Sequence, residues 1–210
     1  MTAEREAVVL VHGLWTHRVV MAYLAARLRR AGFATYGLTY RSVRADLVDN
    51  AGALAALVAR LPHAVVHVVG HSLGGLVALA CLARHAPREV RRVVLLTSPV
   101  SGCEAGRRLS AAAWARPLLG RTCRIWTAPE RLVADGPYEI GTIAGTRPLG
   151  LGAMILRLDG RHDGVVRVEE ARYPHERDHI ALPLAHSEVL VSPLAARQIA
   201  AFLQSGRFLK

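Results

Sequence analysis

The chain has 210 residues, is 52% hydrophobic and has a mean hydropathy of +0.25, which is enough apolar material for one ordinary globular core and too much for a disordered segment. It carries 27 Lys+Arg, with Lys210 the one lysine, against 16 Asp+Glu, for a formal net charge of +11. That balance raises nucleic acid as a partner, but aromatics are only 5% and the arginines never run beyond pairs, so neither a basic tail nor a base-stacking platform is visible and no nucleic-acid partner is expected.

Ala7 to Val11 (AVVLV) is a β-branched run closed by His12-Gly13, the pattern of a buried strand ending in a turn. From Thr16 to Arg30, Val19, Val20, Tyr23, Leu24, Arg27 and Leu28 recur at helical spacing, with Thr16 placed to cap the start and Gly32 just past the end. Ala34 to Tyr40 reads as a strand, Asp46 to Arg60 as a helix with Asp46 near its start, and Ala64 to Val69 (AVVHVV) as a second buried strand. Ser72 to His85 is helical and stops before Pro87, and Arg92 to Thr97 (RVVLLT) is again a strand.

The signal weakens beyond Ser101. Glu104 to Leu119 reads as an Ala-rich helix, with Trp114 and Trp126 packing the segment back on the body. Tyr138 to Ala144 (YEIGTIA) reads as a strand, Gly145 to Gly164 as a long Gly-rich loop, Asp178 to Leu184 as a last strand and Pro193 to Phe202 as a closing helix. Strands alternating with helices predict an α/β fold: a mostly parallel sheet with helices on both faces, in one domain over residues 1–210. The pairs Arg29-Arg30, Arg91-Arg92 and Arg107-Arg108 read as solvated faces.

Cys81, Cys103 and Cys123 are odd in number, far apart and form no CxxC, so neither a disulfide framework nor a zinc site is expected, and a reducing, cytoplasmic compartment fits best. Glu4, Arg5 and Glu6 before a short apolar run do not form a secretory signal. The longest stretch free of Lys, Arg, Asp and Glu, Leu61 to Ala83, is long enough to span a membrane. It holds Pro62, three histidines and Gly74-Gly75, so a strand, a turn and a helix describe it better.

The sharpest local feature is Gly70-His71-Ser72-Leu73-Gly74, a G-x-S-x-G pattern between an expected strand and an expected helix. A serine nucleophile held at such a turn needs small flanking residues, and the helix N-terminus that follows aims backbone N–H groups at developing negative charge. A nucleophilic serine also needs a base, and histidine suits that task near neutral pH. Of ten histidines, His186 follows a strand at once, where a parallel sheet places its site. His63 precedes a strand, His67 lies inside one and His85 ends a helix, all positions with structural explanations. His12 and His71 adjoin the site and read as shaping it, with His12 and Trp15 candidate pocket residues. The carboxylate that would orient the imidazole is Asp163 or Asp159, each followed by glycine, and Asp163 is preferred because it opens Asp163-Gly164-Val165-Val166.

Taken together, Val11-His12-Gly13-Leu14, Gly70-His71-Ser72-Leu73-Gly74-Gly75, Thr97-Ser98-Pro99 with Gly102, Asp163-Gly164-Val165-Val166 and His186-Ser187 resemble the α/β-hydrolase superfamily, and most of all its small bacterial serine esterases and lipases. The resemblance implies Ser72 as nucleophile, His186 as base and Asp163 as the residue fixing the imidazole, with an oxyanion hole from the backbone N–H groups of Leu14 and Leu73. It also implies hydrolysis of apolar acyl or lipid esters through an acyl-serine, with no metal or organic cofactor. Acyl transfer, thioester hydrolysis and a non-catalytic protein docked on a partner or an anionic membrane surface are the alternatives. The interval from Pro99 to Asp135 is too short for a large cap, so the site is expected to be open, covered at most by Glu104 to Leu119. Nothing in the sequence sets the oligomeric state.

Overall fold

The computed structural model describes residues 5–127, 132–149 and 158–210. Six strands form one parallel sheet in the order β2-β1-β3-β4-β5-β6: β1 Ala7–Val11, β2 Ala34–Gly37, β3 Val66–His71, β4 Val90–Leu96, β5 Glu139–Gly145 and β6 Asp178–Leu182. β1 (AVVLV) and Val93 to Leu96 of β4 are continuous apolar runs, and β3 adds Val66, Val68 and Val69, as suits a sheet buried on both faces. Alternation along β1 divides the core. Val9 and Val11 pack with Leu54 and Val77 on one face, Val8 and Leu10 with Leu24, Leu28 and Phe202 on the other.

The first face is covered by α2 (Leu47–Val58) and α3 (Leu73–His85), the second by α1 (Ala22–Arg30) and α7 (Pro193–Ser205). Asp46 caps α2, its Oδ1 accepting the Asp49 N–H at 3.0 Å, and Ser192 caps α7 before Pro193. Among the described residues no helix is long and apolar enough to cross a membrane. Leu61 to Ala83 instead holds β3, a turn and most of α3.

Several boundaries differ from expectation. Residues 18–21 form a 3-10 turn ahead of α1, so Thr16 does not cap a helix; its hydroxyl donates to Gly13 O at 2.9 Å and tightens the loop after β1. β2 ends at Gly37 and not Tyr40, and Arg18 packs over Gly37 where a side chain would stand. β3 runs two residues further than Val69, and β6 stops at Leu182. Glu104 to Leu119 is not one helix. α4 (Glu104–Ala111) ends at Ala112 in an extended conformation, and α5 (Arg116–Leu119) and α6 (Cys123–Thr127) follow as short pieces. Residues 150–157 of the expected Gly-rich loop lie outside the described residues.

Arg92 also departs from the reading of the arginine pairs as solvated. It points into the base of the sheet, 6% exposed, with its Nε donating to Glu139 at 2.5 Å and its Nη1 to Leu203 O at 2.8 Å. A buried guanidinium needs such partners, and they tie β4 to β5 and to α7.

Candidate active site

β3 leads straight into the turn at Ser72, which adopts φ 54° and ψ −122° before α3 begins. A non-glycine residue rarely takes a positive φ, and the local strain holds the side chain clear of both strand and helix. Close packing allows only glycine on either side: a Cβ on Gly70 would lie 2.5 Å from Gly74 O, and one on Gly74 2.3 Å from Val11 O. The Cβ position of Gly13 in turn lies 3.2 Å from the Ser72 Cβ, so the loop after β1 crosses directly over the serine. Leu14 lines the same cavity as Ser72, and neither the Leu14 N–H nor the Leu73 N–H is spent on a backbone acceptor among the described residues.

His186 meets Ser72 from the loop after β6, with Nε2 3.1 Å from Oγ. Its Nδ1 lies 2.8 Å from Asp163 Oδ2. A carboxylate oxygen only accepts, so Nδ1 carries the proton and bare Nε2 is the acceptor for the serine hydroxyl. Asp163 is 0% exposed, and its Oδ1 accepts from Val165 N–H and Val166 N–H at 2.9 and 2.7 Å. The turn that opens Asp163-Gly164-Val165-Val166 thus fixes one carboxylate oxygen and frees the other for the imidazole. Asp159 is exposed and outside this chain of bonds.

Asp163 lies far along the chain from β5 but not far in space. A Cβ on Gly145, the last residue of β5, would fall 2.6 Å from the Asp163 Cβ, so the bare strand end is what lets the aspartate abut it. The loop also fastens to the histidine, with His186 N–H donating to Asp163 O at 3.0 Å.

His71 is a second support. Its Nε2–H donates to His186 O at 2.9 Å, and burial, with His186 close by, pushes its pKa down to about 3, so the ring is neutral. His12 lines neither of the cavities described below. It is buried beneath the loop, with Nδ1–H donating to Gly13 O at 2.9 Å and its ring stacked on Tyr40 at 4.3 Å. Tyr40 in turn donates to His12 O at 2.6 Å. Burial lowers the His12 pKa as well.

The relay opens on a cavity of about 320 Å³, lined largely by apolar side chains including Trp15, Leu109, Trp126 and Val165. Trp15, 57% exposed, donates from Nε1 to Leu118 O at 2.8 Å and so bridges the loop after β1 to α5. The expected open site is more walled than its length suggested, because Ala105, Gly106 and Leu109 of α4 and Trp126 of α6 form one side. Cys103 lies in that wall with its thiol pushed up to about 12 by burial.

Ser98, which the sequence presents only as part of the Thr97-Ser98-Pro99 motif, is a supporting residue. Its Oγ lies 3.2 Å from both Gly70 O and Leu96 O, and a Cβ on Gly75 would meet it at 2.1 Å. The turn Thr97-Ser98-Pro99 thereby packs against the first turn of α3. A serine two residues past a strand offered no periodic signal to find it by.

The fold has solved counterparts. A Bacillus licheniformis lipase, BlEst2, in its mature form is 21% identical, with TM-score 0.76 over 98% of this chain and 93% of that one. The metagenomic carboxyl esterase MGS0156 is 20% identical, with TM-score 0.67 over 89% of this chain and 65% of its own. A pyrethroid hydrolase from Sphingobium faniae is 14% identical, with TM-score 0.64 over 96% and 98%. No curated protein matches the sequence. A model of the alpha/beta hydrolase family matches residues 8–206, which takes in β2 to β6 and all of β1 but Ala7, together with Ser72, Asp163 and His186; the chain belongs to that family.

Proposed function

We propose that the protein is a serine hydrolase that cleaves carboxylic esters through an acyl-Ser72 intermediate. The observation that carries this reading is the unbroken hydrogen-bond relay from Ser72 Oγ through His186 to buried Asp163, at the floor of a mainly apolar cavity.

In this reading His186 Nε2 takes the hydroxyl proton as Ser72 Oγ attacks the ester carbonyl. Asp163 holds the tautomer that makes Nε2 the acceptor and stabilises the imidazolium that forms. Charge developing on the carbonyl oxygen is met by the N–H groups of Leu14 and Leu73, which are backbone donors and so indifferent to their leucine side chains. His186 then gives the proton to the departing alkoxide, and water, activated by the same nitrogen, releases the acid and regenerates Ser72. The small, mainly apolar cavity suits an apolar acyl chain.

A fluorophosphonate probe tests the assignment. Wild-type protein is expected to be labelled once and Ser72→Ala not at all, with hydrolysis of p-nitrophenyl esters lost in parallel. Labelling that persists in Ser72→Ala removes the proposal.

A further inference from the structure

A second cavity of about 330 Å³ lies beside the first, and Pro99, Cys103 and Trp126 contribute to the walls of both. The two cavities thus adjoin at these three side chains. The floor of the second is apolar, with Leu76, Val100 and Leu132, but its rim is cationic: Arg107, Arg121 and Arg124 stand there against one carboxylate, Asp46.

The three guanidiniums differ in how far they are neutralised. Arg107 is paired with Glu104 one turn back on α4. Arg121 has only distant, exposed contacts, 3.7 Å to Asp46 and 3.9 Å to Asp49, and Asp46 already uses its other oxygen to cap α2. Arg124 has no acidic partner among the described residues. An apolar floor below under-neutralised guanidiniums suits a molecule with a short hydrocarbon part and a compact anion, since arginine offers a planar pair of donors to a carboxylate or phosphate. A neutral lipid ester would use the floor and leave the rim idle.

We propose that this second cavity receives the anionic end of the substrate, so that the preferred substrates are amphiphilic esters bearing a carboxylate or phosphate group, held by Arg121 and Arg124 while the scissile carbonyl sits at Ser72. This rests on the ester-hydrolase reading above. Trp126, 7% exposed and common to both walls, is the side chain over which such a substrate lies.

The test compares matched pairs of esters. For an anion on the acyl side, the p-nitrophenyl half-ester of adipate is set against its methyl ester; for one on the alcohol side, 4-hexanoyloxybenzoate and 4-hexanoyloxyphenyl phosphate are set against methyl 4-hexanoyloxybenzoate. At low salt the wild type is expected to favour an anionic member by about tenfold in kcat/KM, and the carboxylate and phosphate arms show which anion fits. In the double variant Arg121→Ala, Arg124→Ala, the ratio of anionic to neutral kcat/KM is expected to fall toward one. The ratio is read within each variant, so a general loss of activity does not mimic the result. Equal use of anionic and neutral esters by the wild type, or a preference that survives in the double variant, overturns the anionic subsite and leaves the hydrolase standing. If neither neutral nor anionic esters are turned over, the hydrolase reading falls and takes the subsite with it.

Discussion

His71 Nε2–H donates to the main-chain oxygen of His186 across 2.9 Å, so the residue preceding Ser72 also holds the residue that faces Ser72. With His186 N–H on Asp163 O, the histidine is anchored at backbone oxygen, backbone nitrogen and Nδ1 before it reaches the serine. Replacing His71 by alanine removes the first anchor without touching Ser72, His186 or Asp163 chemically. We expect kcat to fall by about tenfold to a hundredfold with KM little changed, because a small misplacement of a base costs that much. His71→Gln, which keeps a donor, is expected to recover part of the loss. Steady-state kinetics on one p-nitrophenyl ester decides it, and an effect confined to KM would contradict a positioning role.

The same histidine makes folding stability depend on pH. Burial pushes the His71 pKa down from 6.5 to about 3, among neighbours that include His186, Asp163 and His12. Above pH 6.5 neither the folded nor the unfolded chain carries a proton there. Between 6.5 and about 3 the unfolded chain binds one that the folded chain refuses, so stability falls as pH falls through that window, by on the order of 4 kcal/mol at its lower end. Urea midpoints at pH 7.5, 6, 5 and 4 should therefore drop more steeply for wild type than for His71→Gln. Parallel curves would show that the ring is not held neutral.

Asp163 and Asp159 make opposite predictions although both precede glycine. Asp163→Asn should lower kcat by about 10⁴-fold, since an amide that donates toward Nδ1 selects the wrong imidazole tautomer. Asp159→Asn, at an exposed position away from the relay, should leave turnover unchanged. Measured kcat values with the roles reversed would move the acid to Asp159.

Gly75 and Ser98 form a packing pair that can be taken apart. Gly75→Ala drives its new methyl into Ser98, with contacts of 2.1 Å to Oγ and 2.5 Å to Cβ. We expect a loss of about 3 kcal/mol in urea denaturation, the upper range for overpacking a buried contact. Ser98→Gly in that background should restore part of it, although Ser98→Gly alone destabilises by deleting the bonds to Gly70 O and Leu96 O. Additive losses in the double variant would mean that the two residues do not share the contact.

The strands of this fold were readable because parallel strands buried on both faces are rich in Val and Leu: β1 is AVVLV and β4 carries Val93 to Leu96 unbroken, while β3 interrupts its valines with His67, Gly70 and His71. Ser72 was readable for a similar reason: the crowding of Gly70 and Gly74 leaves a fixed residue pattern behind it. Asp163 was harder, because what brings it to His186 is a through-space contact with Gly145, and such contacts leave no spacing in the sequence. Glu104 to Leu119 misled because alanine favours helix wherever nothing else intervenes, whereas here the chain turns at Ala112 to bring α5 against Trp15 and Trp126 of α6 into the cavity wall. Arg92 misled through its neighbour. Paired arginines on an edge strand would both be wet, but adjacent residues of a strand point to opposite sides, and one of these two meets Glu139 and Leu203 O.

The strand order β2-β1-β3-β4-β5-β6 has a consequence for how the molecule is born. Ser72 belongs to the half of the sheet that leaves the ribosome first, and His186 follows 114 residues later. At about 5–20 residues per second, that interval lasts from several seconds to some twenty. Throughout it the serine is an ordinary alcohol, with no base to activate it. In the proposed mechanism Ser72 becomes a nucleophile only once β5 and β6 have docked beside β4 and brought the loop bearing His186 to it, so no acyl transfer is expected from a nascent chain that has not reached residue 186.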